Sequence, residues 1–171
     1  MRHAQTYWLL GGLAVAGAAW IYSRTQSGQS ILADLVGRVV STVRGIRNNN
    51  PTNMKDAGIQ WDGMTGVDPD GFLQFATMAD GLRAPAKNLR NYGRLDGIST
   101  VDGVARRWSK TDQDAYSANL ATWLGVDPHD SIDLEDYATL AALVRGIIRQ
   151  EDGGAAELLV DSQIDAEVYS I

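Results

Sequence analysis

Apolar positions along this chain fall into two patterns. Residues 7–22 (YWLLGGLAVAGAAWIY) form a run of sixteen without a charge. Beyond residue 30 the apolar residues recur at helical spacing, and no strand-type alternation of any length appears. At about 1.5 Å per residue the first run makes a helix about 24 Å long, close to the roughly 30 Å hydrocarbon core. Tyr7, Trp8, Trp20 and Tyr22 at its ends have the chemistry of bilayer interfaces. Residues 1–24 are therefore expected to hold a single transmembrane anchor facing a lipid bilayer through residues 7–22. Ala16-Gly17-Ala18 also provides the small residues of a signal-peptide cleavage site. The flanking Arg residues are too evenly split to orient the span.

Residues 25–43 read as a linker and an amphipathic helix. SRTQSGQS is a polar tether, Ser30 can cap, and Ile31, Leu32, Leu35, Val36, Val39, Val40 and Val43 make one stripe toward Gly45. Residues 45–72 change character: RNNNPTN, WDGMTG and DPDG are dense in Asn, Asp, Gly and Pro, which bind their own backbone or accept positive φ. This predicts a long ordered loop, a candidate binding surface, with room for a small hairpin around 59–75. Thr77 with Asp80 then starts a helix whose face (Leu82, Ala86, Leu89, Tyr92) runs to Gly93, with Pro85 expected to kink it. Thr100 starts a short helix with Val101, Val104, Ala105 and Trp108 inward. Thr111 starts another with Tyr116, Leu120, Trp123 and Leu124, and Gly125 stops it. A last helix begins near Asp133 and ends at Gly153-Gly154. The fold class is mainly α.

Charge changes the picture in one respect. The formal net charge is −6, but residues 1–47 sum to +4 and residues 48–171 to −10. An acidic body argues against nucleic acid as partner, because such binding draws on Lys and Arg neutralising phosphates. The absence of Cys removes disulfides, thiolate catalysis and Cys-type zinc sites. His3 and His129 are far apart, and Asp127, Asp130 and Asp133 lack the calcium-loop spacing, so no metal and no cofactor is expected. Residues 155–171 carry four acids and no base and read as an acidic peripheral tail, disordered or docked through Leu158, Leu159 and Val160.

One acid stands in an unusual place. Stepping about 100° per residue, Glu151 lies within about 20° of Leu140 and Val144 and about 40° of Ile147, so it continues the buried stripe of the last helix. A carboxylate that is partly buried and faces the negative end of the helix dipole has a raised pKa, as a general acid near neutral pH requires. The other reading is a frayed helix end with Glu151 in solvent or paired with Arg149 or Arg47.

The order and residue types of RGIRNNNPTNM (44–54), Trp61-Asp62-Gly63, GFLQFATMADGLRA (71–84), RRWSKTDQDAY (106–116) and IIRQEDGG (147–154) resemble the peptidoglycan-degrading domains of bacteriophage structural proteins. IIRQEDGG is similar to the helix end that carries the catalytic Glu of lysozyme-like lytic transglycosylases, with Asp152 where Ser is commoner. That helix comes first in most of the superfamily and last here. The resemblance therefore implies a circularly permuted lysozyme-like domain over residues 44–154, which nearby termini allow. It further implies cleavage of the bond between N-acetylmuramic acid and N-acetylglucosamine, with Glu151 as catalytic acid and then base. Asp152 beside it is expected to raise its pKa further. Asp62, Asp68 and Asp70 are available as a second carboxylate, but no spacing singles one out. The resemblance implies that one Glu suffices, with the substrate's own acetamido and hydroxyl groups completing the reaction, and so a lytic transglycosylase before a hydrolytic muramidase.

Asn48, Asn50 and Asn53, the ring of Trp61 and the hydroxyl of Tyr116 are the candidate substrate-binding groups. Asn in such a loop also ties backbone, and Trp61 also suits a core. Phe72, Phe75, Trp108 and Trp123 are read as packing. The expected protein is a membrane-anchored virion component acting on peptidoglycan at the host envelope during genome entry, alongside other virion proteins. The alternative is a minor virion membrane protein that keeps the scaffold as a glycan binder without the chemistry.

Overall fold

A computed structural model describes residues 43–171 together with Ala33 and Gly37. The anchor expected at residues 7–22, the tether and most of the amphipathic helix of residues 25–43 lie outside the described residues. Among the described residues no helix is long and apolar enough to cross a membrane. Val43–Ile171 form one compact unit.

The unit is mainly helical. A single turn, α1 (Arg44–Arg47), leads into the Asn-rich loop. The loop ends in an antiparallel hairpin of β1 (Met64–Val67) and β2 (Leu73–Phe75), within the region where the sequence has room for one. Its register pairs Met64 with Phe75 and Val67 with Leu73, with a bulge between Met64 and Gly66. There follow α2 (Met78–Asp96), α3 (Val101–Trp108), α4 (Gln113–Leu124), α5 (Tyr137–Glu151), α6 (Gly153–Leu158) and α7 (Asp161–Val168).

Local chemistry sets the ends of these helices. Thr77 Oγ1 accepts from Asp80 N at 3.2 Å to start α2, and Thr100 Oγ1 accepts from Gly103 N at 3.0 Å to start α3. Expected to stop at Gly93, α2 continues to Asp96 and ends at Gly97, whose φ of +68° is the left-handed stop. Gly93 serves packing instead, since a Cβ there would stand 3.3 Å from Leu134 Cβ. Pro85 does not divide α2 and is buried within it. Expected from Asp133, α5 begins at Tyr137, because it is Asp136 that caps the Thr139 amide (2.8 Å) while Asp133 turns back to the Glu135 amide.

The main core lies around α5, whose Leu140, Leu143, Val144, Ile147 and Ile148 are buried against residues of α2, α3 and α4. Trp123, expected inward, is 39% exposed, with the Arg149 guanidinium 6.0 Å from its ring. The stretch read as a peripheral tail takes the docked of its two expected forms, as α6 and α7, although Leu158 and Val160 stay exposed. Ala155, Ile164 and Val168 enter the same core, and Arg83 and Arg145 pair with Glu167 and Asp165. The i, i+4 pair Ile164 and Val168 is enough to dock a helix whose other face is acidic. A second, smaller cluster of Met54, Leu73, Phe75 and Ala84 joins the hairpin to α2, with Trp61, Met64 and Trp108 against it.

Candidate active site

Glu151 is the last residue of α5, and the helix carries it out of the core with its side chain half-buried. Its Oε1 accepts a 2.9 Å hydrogen bond from the Tyr116 hydroxyl of α4, and its backbone carbonyl accepts one from Asn53 Nδ2 at 3.0 Å. Burial pushes the Glu151 pKa up. The Tyr116 hydroxyl, the Lys55 ammonium and the Trp108 indole act against that rise without cancelling it. Tyr116 is 4% exposed, and burial together with the adjacent carboxylate raises its own pKa, so it stays a neutral donor.

Glu151 opens onto a cleft of about 520 Å³, walled by Asn53, Trp61, Phe72, Tyr92 and Trp108 among others. The aromatic rings give flat apolar faces, and the carboxyl group gives one titratable proton between them. This suits a ring-shaped ligand that undergoes acid chemistry, since sugars present C–H faces to such rings.

The expected site residues divide. Glu151, Asn53 and Trp61 share the cleft. Asn53 has φ +49° and its Oδ1 is buried with no hydrogen-bond partner among the described residues. Tyr116 does not line the cleft; it sits behind Glu151 and fixes the carboxyl group from the core side. Asn48 and Asn50 are corrections, because both are fully buried and their amides are used internally. Asn48 Nδ2 donates to Asp68 Oδ2 at 2.7 Å. Asn50 Nδ2 donates to the carbonyls of Met54 and Leu73 (both 2.9 Å), and its Oδ1 accepts from Met54 N at 2.9 Å. They hold the loop, and their burial keeps both from a ligand in the cleft.

None of the three Asp residues offered as a second carboxylate reaches the cleft. Asp62 bonds Lys87 at 2.7 Å, which lowers its pKa. Asp68 accepts from the amides of Phe72 and Asp70 and from Asn48; the Phe72 bond leads in holding its pKa down. Asp70 is exposed on the turn of the hairpin. The carboxylate that does line the cleft beside Glu151 is Asp56, whose Oδ1 accepts from Gly58 N at 2.8 Å. Asp152 also departs from expectation. Its oxygens are taken by Gly45 N (2.8 Å) and Ala155 N (3.1 Å), so it caps α6, clips α1 to the end of α5, and takes no part in raising the Glu151 pKa.

Sequence reasoning missed Trp108, Phe72 and Tyr92 as cleft walls and Lys55, Asp56 and Lys110 as its polar rim. A signal existed for Trp108: it is the last residue of its stripe, followed at once by the polar turn Ser109-Lys110. Among the described residues no group of three or more His, Asp or Glu side chains is placed to hold a metal ion.

No family model matches the chain. A curated relative does: Protein P5 of Pseudoalteromonas phage PM2 is 32% identical over 123 residues, an alignment that covers 68% of this chain and 75% of the relative. Identity at that level over most of both chains places this protein in the same family as the phage PM2 Protein P5.

Proposed function

We propose that this protein is a membrane-anchored phage virion enzyme that cleaves the β-1,4 bond between N-acetylmuramic acid and N-acetylglucosamine in peptidoglycan, opening the wall during genome entry. In this reading residues 44–154 are a permuted lysozyme-like scaffold and residues 7–22 supply the anchor. The observation that carries it is Glu151: a half-buried carboxyl group with a raised pKa, positioned by Tyr116, in an aromatic-walled cleft. The family relationship to a phage protein supports the setting.

Protonated Glu151 gives its proton to the glycosidic oxygen as the bond from that oxygen to the muramic anomeric carbon breaks. The resulting carboxylate then takes the proton of the sugar's own hydroxyl as that oxygen attacks the anomeric carbon, closing an anhydro ring and restoring Glu151. Burial favours the neutral acid before the first step, and the Tyr116 hydroxyl supports the anion between the two. A hydrolytic route is the second reading, and Asp56 favours it by bringing a second carboxylate to the cleft.

The test is digestion of purified sacculi by the full-length chain with product analysis. Anhydro-muropeptides are expected, reducing ends identify the hydrolytic route, and Glu151→Gln is expected to release neither. Sacculi bound but left intact by the wild type point to a glycan-binding virion component, and an active Glu151→Gln removes Glu151 from the reaction.

A further inference from the structure

The candidate cleft is richer in cations than the body around it. Residues 48–171 sum to −10, yet Lys55, Arg107 and Lys110 line this one concavity against Asp56 and Glu151. The chain has three lysines. Lys87, outside the cleft, is committed to Asp62 at 2.7 Å. The other two are the cleft lysines, and neither is in salt-bridge contact with a carboxylate among the described residues, although Lys55 acts on Glu151 through space. Lys55 is held by the hairpin: its backbone bridges to Phe72 and its ammonium lies 4.9 Å from the centre of the Phe72 ring. Arg107 is fixed by Asp96 at 3.1 Å and lies 4.8 Å over the Tyr92 ring, which meets Trp108 edge-on. In a body with so many acids, two unpaired ammonium groups facing one cleft favour an anionic ligand there and disfavour neutral ones by comparison.

We infer that Lys55 and Lys110, with Arg107 as the fixed member, form a carboxylate-recognising wall of the cleft, so that the glycan it takes carries acids, as peptidoglycan does on its stem peptides, and is not a neutral N-acetylglucosamine polymer. The inference rests on the proposed glycan reading and adds the substrate's charge to it. The aromatic walls contact sugar faces and carry no charge preference; the two lysines supply it. Because they are exposed, the preference is screened by salt over about 8–10 Å at physiological ionic strength.

The experiment measures binding of the full-length chain to three insoluble or oligomeric glycans at low and high salt: intact sacculi, sacculi stripped of stem peptides by an amidase, and the neutral N-acetylglucosamine hexamer. Wild type is expected to bind intact sacculi at least about tenfold more tightly than the neutral hexamer at low salt, with the gap closing at high salt. The double variant Lys55→Gln/Lys110→Gln is expected to lose about three- to tenfold in sacculus affinity and none for the hexamer. The amidase frees the lactyl carboxylate as it removes the stem peptide, so retained binding to the stripped glycan shows that a carboxylate at that position suffices, and lost binding assigns the contact to the stem peptide; either outcome supports the wall. Equal affinity for all three glycans, or a double variant indistinguishable from wild type, overturns it. Cleavage is scored separately: sacculi bound selectively but left uncut defeat the enzyme reading and keep the wall, whereas sacculi and hexamer cut alike defeat the wall and keep the enzyme.

Discussion

The loop and hairpin of residues 48–75 and the helices that follow are held together by different chemistry. In the helical part the core is mainly apolar, with Leu140, Leu143, Val144, Ile147 and Ile148 of α5 packed among the buried faces of its neighbours. In the loop part the buried apolar residues are few, and the chain is fastened by buried amides: Asn50 with three bonds to backbone, Asn48 with Asp68, and Asn49 Nδ2 to the Phe75 carbonyl. Its docking on α2 requires Gly81, since a Cβ there would lie 1.6 Å from the Asn49 carbonyl oxygen. A short stretch with many turns cannot bury enough apolar surface to fix its shape, and directional hydrogen bonds do that work. Glu151 comes from the helical part, while Trp61, Asn53 and Phe72 come from the loop. The acid is set by the apolar helical core, and the loop side of the cleft is set by the polar network, while Tyr92 and Trp108 close it from α2 and α3.

The strongest test of that division is the acid itself. Glu151→Gln is expected to lower glycan cleavage at least about 100-fold with the fold intact. Its stability should show the opposite sign. Because the folded pKa of Glu151 is raised, the native state holds the proton longer than the unfolded chain. The contribution is complete below the unfolded value near 4.5 and is lost as pH rises through the folded value. Gln removes that loss, so the melting temperature of the variant should exceed wild type at pH 8 and match it at pH 4. A lower melting temperature at pH 8 would mean that the carboxylate helps to hold the fold.

Next come paired substitutions measured by urea unfolding. Leu143→Ala and Asn50→Ala should each cost about 3 kcal/mol, the first by a cavity and the second by leaving buried backbone groups unsatisfied. Conservative replacements sharpen the contrast: Leu143→Met should cost under about 1.5 kcal/mol, whereas Asn50→Leu should stay near the full loss. An Asn50→Leu that costs less than about 1 kcal/mol breaks the comparison, because the loop would then be held by apolar packing after all.

Tyr116→Phe probes the joint between helix core and site. Activity is expected to fall about tenfold with a stability loss of about 1 kcal/mol. The Tyr116 hydroxyl lowers the Glu151 pKa, so its removal should move the alkaline limb of the pH profile to higher pH. An unshifted limb would show that the hydroxyl only fills space. The smallest effect is expected where the hairpin passes into α2: Thr77→Ala removes a cap and should cost about 1 kcal/mol with no change in activity, measured by thermal unfolding and sacculus digestion together.

The same division explains what was legible in the sequence. The helices could be read because the core writes itself as a period of 3.6, and Glu151 stood out as the one acid continuing the stripe of Leu140 and Val144. The Asn residues could not be assigned, because an amide that binds a sugar and an amide that binds Met54 look identical in one dimension. Trp108 was ambiguous for a related reason: one ring face can close a core while its edge lines a cleft. The last two helices were hidden by composition, their four acids masking Ala155, Ile164 and Val168. The misread end of α2 and start of α5 turned on which Gly or Asp of several nearby actually caps.

The clip made by Asp152 has a mechanical meaning. Its carboxylate holds the Gly45 amide on one side and the first turn of α6 on the other, while Val43 packs against Gly154. Tension entering the unit at Val43 therefore meets this clip first, one residue from Glu151, before it reaches the hairpin or the outer helices. In the proposed reading, where residues 7–22 are the anchor and Glu151 the acid, load passing into the unit at Val43 would reach the clip beside Glu151, so attachment and chemistry would share a single anchor bolt.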